Sequence, residues 1–151
     1  MKKKALLCAL ALSVGAGYAL NAGAQVKPEQ LVKQRQSAMS LIGWYFGPIG
    51  GMMRGDRPFD AAVVARNAGY LEVLSKMPME GFQPSTKDEK TKALPEVWSD
   101  KAKFDTAMEN MQGELTKFAQ VAKGGDQGAI KTQFGAVGKS CAACHDNFRQ
   151  K

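Results

Sequence analysis

The stretch Ile130–Phe148, IKTQFGAVGKSCAACHDNF, carries apolar side chains at Ile130, Phe134, Val137, Cys141, Cys144 and Phe148, in alternating steps of four and three. That spacing keeps them on one face of an α-helix. The stripe runs into Cys141-Ala142-Ala143-Cys144-His145, and C-x-x-C-H is the attachment signal for a c-type haem. On a helix, positions i, i+3 and i+4 share a face, so Cys141, Cys144 and His145 point at one object. A flat macrocycle meets that demand: two thiols become thioethers at the porphyrin edge, and the imidazole takes the iron. Because the seam contains both cysteines, the haem is expected inside a helical bundle rather than on its surface.

Other readings of the motif explain less of it. A redox dithiol usually stands at a helix N-terminus, where the dipole lowers the thiol pKa, whereas this motif closes its helix. Zinc would need a fourth ligand, and with His145 the only histidine that ligand would have to be a carboxylate. A structural disulfide leaves His145 without a role.

At the other end, Met1–Ala24 reads as a secretory signal. Lys2, Lys3 and Lys4 precede a mostly apolar run from Ala5 to Leu20, and Ala22-Gly23-Ala24 offers the small-residue cleavage site. The mature chain is then expected to begin at Gln25, and Cys8 leaves with the signal. Both remaining cysteines lie in the motif. The apolar run is short and rich in Gly and Ala, unlike a membrane span. Removing the three lysines lowers the net charge of +7 by three, to +4. Lys and Arg are scattered among Asp and Glu without a basic block, which argues against nucleic acid as a partner. Residues 25–151 suit one domain with one core.

Three further helices are expected. The first opens at Pro28, a residue favoured at the first helical position, and stops near Gly55; its stripe is Leu31, Arg35, Ala38, Ile42, Tyr45, Ile49 and Met52 or Met53. Gly47-Pro48 within it predicts a kink or break. The second runs from an Asp60 cap to about Ser75, with Val64, Ala68, Leu71 and Leu74 inward. The third starts at Ser99 or Asp100, carries Phe104, Met108, Met111, Leu115, Phe118 and Ala122, and ends at Gly124-Gly125. Asp126 caps the fourth. Between Lys76 and Trp98, four prolines or glycines exclude a long helix, and an irregular connection of that length is usually functional or packed on something. The fold class is all-α: an antiparallel up-down-up-down four-helix bundle with haem inside.

Several residues of the first helix face the same interior. Arg35 is a cation at a core position: either it snorkels to solvent on a slightly different phase, or it pairs with a haem propionate, whose carboxylate fits the guanidinium fork. Met39, one turn on, is either core filling or a soft axial ligand. Arg149, one turn beyond His145, either complements the helix dipole or acts beside the iron ligand. Trp44 and Trp98 read as packing residues, Trp98 against the haem edge. Leu41, Trp44 and Phe46 lie off the core stripe, as an exposed cluster that meets a partner would. No acid–base or nucleophile constellation accompanies the single histidine, so an enzyme is not expected.

The chain resembles cytochrome c′, the high-spin class II cytochromes, over essentially all of residues 25–151. The matching pieces are Arg35-Gln36-x-x-Met39, Gly55-x-x-Pro58-Phe59-Asp60, Gly81-Phe82-x-Pro84, Pro95-Glu96-Val97-Trp98, and the C-x-x-C-H motif with Arg149 one turn on. The resemblance implies haem c held by Cys141 and Cys144, His145 as axial iron ligand, and Arg35, Gln36 and Thr91 at a propionate. Met39 would stand over the distal face and Arg149 on the proximal side. It further implies a periplasmic homodimer through the first two helices, with five-coordinate iron that binds nitric oxide and carbon monoxide. Low-spin class II relatives instead use a Met at this position as sixth ligand and pass electrons to a redox partner, and Met39 as ligand stands as the alternative.

Overall fold

The computed structural model describes residues 26–151, so the signal sequence and its cleavage after Ala24 lie outside the described residues. Five helices follow in order: α1 (Pro28–Arg54), α2 (Ala61–Leu74), α3 (Glu96–Ser99), α4 (Lys101–Lys123) and α5 (Gln127–Phe148). The four long ones form the bundle, and α3 is a single turn leading into α4. Among the described residues the only β pairing is an isolated antiparallel bridge between Ala93 and Arg149.

Local chemistry sets the helix ends. Pro28 occupies the first turn of α1. Gly55, at φ 83°, ends that helix in the left-handed region that a residue with a Cβ enters only at a cost, and Asp56 N–H closes onto the Gly51 carbonyl at 2.9 Å. Asp60 caps α2 by accepting from Val63 N–H at 3.0 Å, and Asp126 caps α5 by accepting from Ala129 N–H at 2.6 Å.

Gly47-Pro48 does not break α1, which is continuous through both residues. A proline usually drives the residue before it out of the helical region, because its Cδ meets that residue's Cβ. Here that residue is a glycine in open space. The carbonyl of Trp44, deprived of its donor, belongs to a residue that is 74% exposed, so water is at hand. That exposure also corrects the packing role expected of Trp44.

The inward stripes of α2 and α4 are buried along their whole length, with Val64, Ala68, Leu71 and Leu74 facing Phe104, Met108, Met111, Leu115, Phe118 and Ala122. Packing runs from α1 to α2, α2 to α4 and α4 to α5, and α1 and α5 make little direct contact. The space between those two helices positions the site.

The connection from α2 to α4 is more ordered than its prolines suggested. It contains two tight helical turns, Met77–Gly81 and Pro84–Thr86, and then α3. Residues 92–94 run beside the end of α5: Leu94 N–H donates to the Phe148 carbonyl at 2.9 Å, and Gln150 N–H to the Lys92 carbonyl at 2.8 Å. No helix of the described residues is long and apolar enough to cross a membrane.

Candidate haem site

A cavity of about 740 Å³ opens between α1 and α5, with α4 as its floor and the α2–α4 connection across one end. All but one of the residues expected at the site, Trp98 being the exception, lie on its wall: Arg35, Gln36 and Met39 from α1, Thr91 from the connection, and Cys141, Cys144, His145 and Arg149 from the end of α5. Helical spacing explains the α1 contribution, since Arg35, Met39 and Gly43 succeed one another by one turn and Phe46 follows Met39 by seven residues. Phe46, expected off the core, is therefore half-buried on the cavity wall, its ring stacked on Phe134 at 4.2 Å.

Most of the lining is apolar. Phe82, Phe104 and Phe148 form a chain of edge-on contacts, with centroids 4.8 and 5.3 Å apart, and Met108 and Met111 lie beside them. These residues were legible as a stripe but not as a cofactor wall, because a helix buries the same side chains against a macrocycle as against another helix. Of the polar lining residues, Arg35 and Thr91 stand together, joined at 3.2 Å, with Gln36 next to Arg35 in the chain, while Ser40, Lys92, His145 and Arg149 make up the rest. That division suits an amphiphilic macrocycle with an apolar body and carboxylates at one edge.

The two thiols are unbridged, Cys144 buried and Cys141 half-buried. Burial raises both pKa values, and at Cys144 the neighbouring Cys141 adds to the rise. An activated redox pair needs the opposite shift. At His145, partial burial and the Arg149 guanidinium lower the pKa against the opposing pull of Asp146. The neutral imidazole, the form that ligates a metal, is thereby favoured. Among the described residues no three His, Cys, Asp or Glu side chains converge as a metal-ion cage requires.

Arg35 is 3% exposed and does not snorkel. Its Nη1 donates to the Gly81 carbonyl at 2.7 Å and to Thr86 Oγ1 at 2.9 Å, and its Nη2 donates to Thr91 Oγ1 at 3.2 Å. Thr86 was not singled out by sequence reasoning, since a lone buried hydroxyl leaves no periodic signal. Trp98 stands behind this group rather than on the cavity wall: the guanidinium lies 5.8 Å from its ring, and its Nε1 donates to the Gln83 carbonyl at 3.2 Å. Arg149 takes extended backbone geometry just past the end of α5, in the bridge to Ala93. The bridge turns the end of α5 and the Thr91–Ala93 strip into one rim.

Comparison with known proteins matches the same span. The family model described as cytochrome c′ covers residues 30–149. A cytochrome c′ from Alcaligenes xylosoxydans is 41% identical over 83% of this chain and 97% of its own length. Among solved structures, cytochrome c′ from Shewanella frigidimarina superposes with a TM-score of 0.81 at 40% identity, over 84% of this chain and 99% of its own. A nitric oxide complex of a cytochrome c′ variant from Alcaligenes xylosoxidans gives 0.78 at 40% identity, over 83% and 98%. Likeness of this extent spans both walls of the cavity and both thiols, so the chain belongs to the cytochrome c′ family and carries haem c covalently through Cys141 and Cys144.

Proposed function

We propose that this chain is an exported, periplasmic haem protein whose iron has His145 as its one protein ligand and binds nitric oxide and carbon monoxide. The bound haem supplies a ferrous iron with affinity for small diatomic gases. His145 holds the iron from α5, and Arg35, Gln36 and Thr91 take the carboxylate end of the ring. Met39 stands on the opposite wall with Ser40, Ile42, Gly43 and Phe46, a set whose one side-chain oxygen is the Ser40 hydroxyl, a weak iron ligand while it keeps its proton. That observation carries the reading, because it leaves the distal face to an apolar gate that small uncharged molecules displace. The nitric oxide complex of a relative supports it. Met39 is also the one side chain of that set with a soft donor, which favours the alternative of a six-coordinate electron carrier with an unidentified redox partner. An absorption spectrum of the reduced protein decides between them: a high-spin spectrum that changes on adding carbon monoxide is expected, and a low-spin spectrum indifferent to the gas would leave the electron carrier.

Leu41, Trp44, Tyr70, Val73 and Met77 expose apolar surface on α1, α2 and the turn after it. This face supports a homodimer through the first two helices.

A further inference from the structure

Arg35 is buried, yet all its hydrogen-bond partners are neutral, and among the described residues it makes no ion pair. A cation so placed must recover lost hydration elsewhere. Glu89 acts on it through space, but burial outweighs that carboxylate and lowers the Arg35 pKa. A guanidinium has five N–H donors. Both on Nη1 are committed, to Gly81 and Thr86, and one on Nη2 is committed to Thr91. The two that remain, on Nη2 and Nε, are what a carboxylate needs for paired hydrogen bonds.

The committed donors are held with unusual firmness. Thr86 is fully buried, and its one hydroxyl hydrogen goes to the Gln83 carbonyl at 2.8 Å, which leaves its oxygen as an acceptor for Arg35. Gly81 lies so close to α1 that a Cβ there would come within 2.6 Å of the Leu31 carbonyl oxygen and of the Arg35 Cβ. The Phe82 ring faces the guanidinium at 4.5 Å. Gln34, the residue before Arg35 in α1, donates to the Met77 carbonyl at 2.7 Å and ties the same connection down a second time.

We infer that Thr86 and the Gly81 carbonyl are a positioning pair. They fix the Arg35 guanidinium so that one buried cation latches both the segment from Gly81 to Ala93 and a haem carboxylate. This rests on the placement of Arg35 at the carboxylate end proposed above. It adds that closure of the segment and neutralisation of the cation are one event, so Thr86, which is not on the cavity wall, sets how strongly the carboxylate is held.

The test uses the haem-loaded protein and two readouts: the pH profile of its reduction potential, which reports the proton affinity of the haem carboxylate, and amide hydrogen exchange over residues 86–93. Glu89, Lys92 and Arg149, the other charged groups at this end, stay unchanged in all variants. Thr86→Val is expected to move the carboxylate titration up by about one pH unit, tenfold in proton affinity, and to speed exchange. Thr86→Ser, which keeps the hydroxyl, should restore both. Faster exchange in Thr86→Val with an unmoved titration would overturn the proposal, because the hydroxyl would then be only structural. If Thr86→Val does not accumulate, Thr86→Cys, whose sulfur is a weak acceptor, carries the same comparison. Arg35→Gln separates the two layers of argument: an unmoved titration there would remove Arg35 from the carboxylate altogether, whatever Thr86 does.

Discussion

Met39 shows how much rests on one side chain. It lines the cavity from α1 while His145 lines it from α5, and its thioether is flexible, so it fills space without fixing a geometry. Moving such a side chain aside to a poorer rotamer costs about 0.5–1.5 kcal/mol. Met39→Ala removes that cost, and carbon monoxide affinity is expected to rise about two- to twelvefold with the reduced spectrum still high-spin, as a gas titration followed by absorbance would show. Were Met39 a ligand, the parent spectrum would be low-spin and the substitution would turn it high-spin. The residues legible at this scale were those with a motif or a helical register behind them: Cys141, Cys144, His145, Arg35 and Met39. Thr86 and Gly81 were not legible as partners of Arg35, because their role comes from where the connection is carried in space.

Among the elements, α2, α4 and α5 followed the sequence closely, since steps of four and three build one buried face and, for α2 and α5, Asp60 and Asp126 mark the start through a local hydrogen bond. The α2–α4 connection did not, because its order comes from contacts with α1 and with the end of α5, and neither leaves a local pattern. The α4–α5 pair has a polar tie as well: Gln133 Nε2 donates to Glu114 Oε2 at 2.6 Å and to the Glu114 carbonyl at 3.2 Å, while Lys117 Nζ lies 2.8 Å from Glu114 Oε1. The hydrogen bonds from Lys117 and then Gln133 lower the Glu114 pKa. A carboxylate whose folded pKa is depressed contributes stability that is present above its unfolded pKa, about 4.3, and is lost as pH falls through the folded value. Glu114→Gln should therefore lower the melting temperature slightly at neutral pH. In thermal melts, the gap to the parent should close below about pH 4.

At the scale of the whole molecule, the bundle has two unequal sides. Between α1 and α5 the apolar surface encloses a cavity, whereas on α1 and α2 apolar surface is left outward, with Trp44 74% and Val73 58% exposed. The Tyr45 and Tyr70 rings, 4.9 Å apart, join the two helices, and Tyr70 is itself part of the outward face. Isolated apolar residues on a surface need no explanation, but a set on two packed helices adds up apolar area that water covers at a cost of about 25 cal/mol per Å². A second copy would remove that cost, and a two-fold pairing would set each patch against its own equivalent. Trp44 is the largest and most exposed of the set, the kind of residue that dominates an interface. Trp44→Glu is expected to weaken self-association by about 2 kcal/mol or more, roughly thirtyfold in Kd, while haem absorbance stays unchanged because the side chain faces away from the cavity. Sedimentation equilibrium reads both forms directly: a parent protein that is monomeric at micromolar concentration, or a variant that dimerises as well as the parent, would show that this face is not where two copies meet.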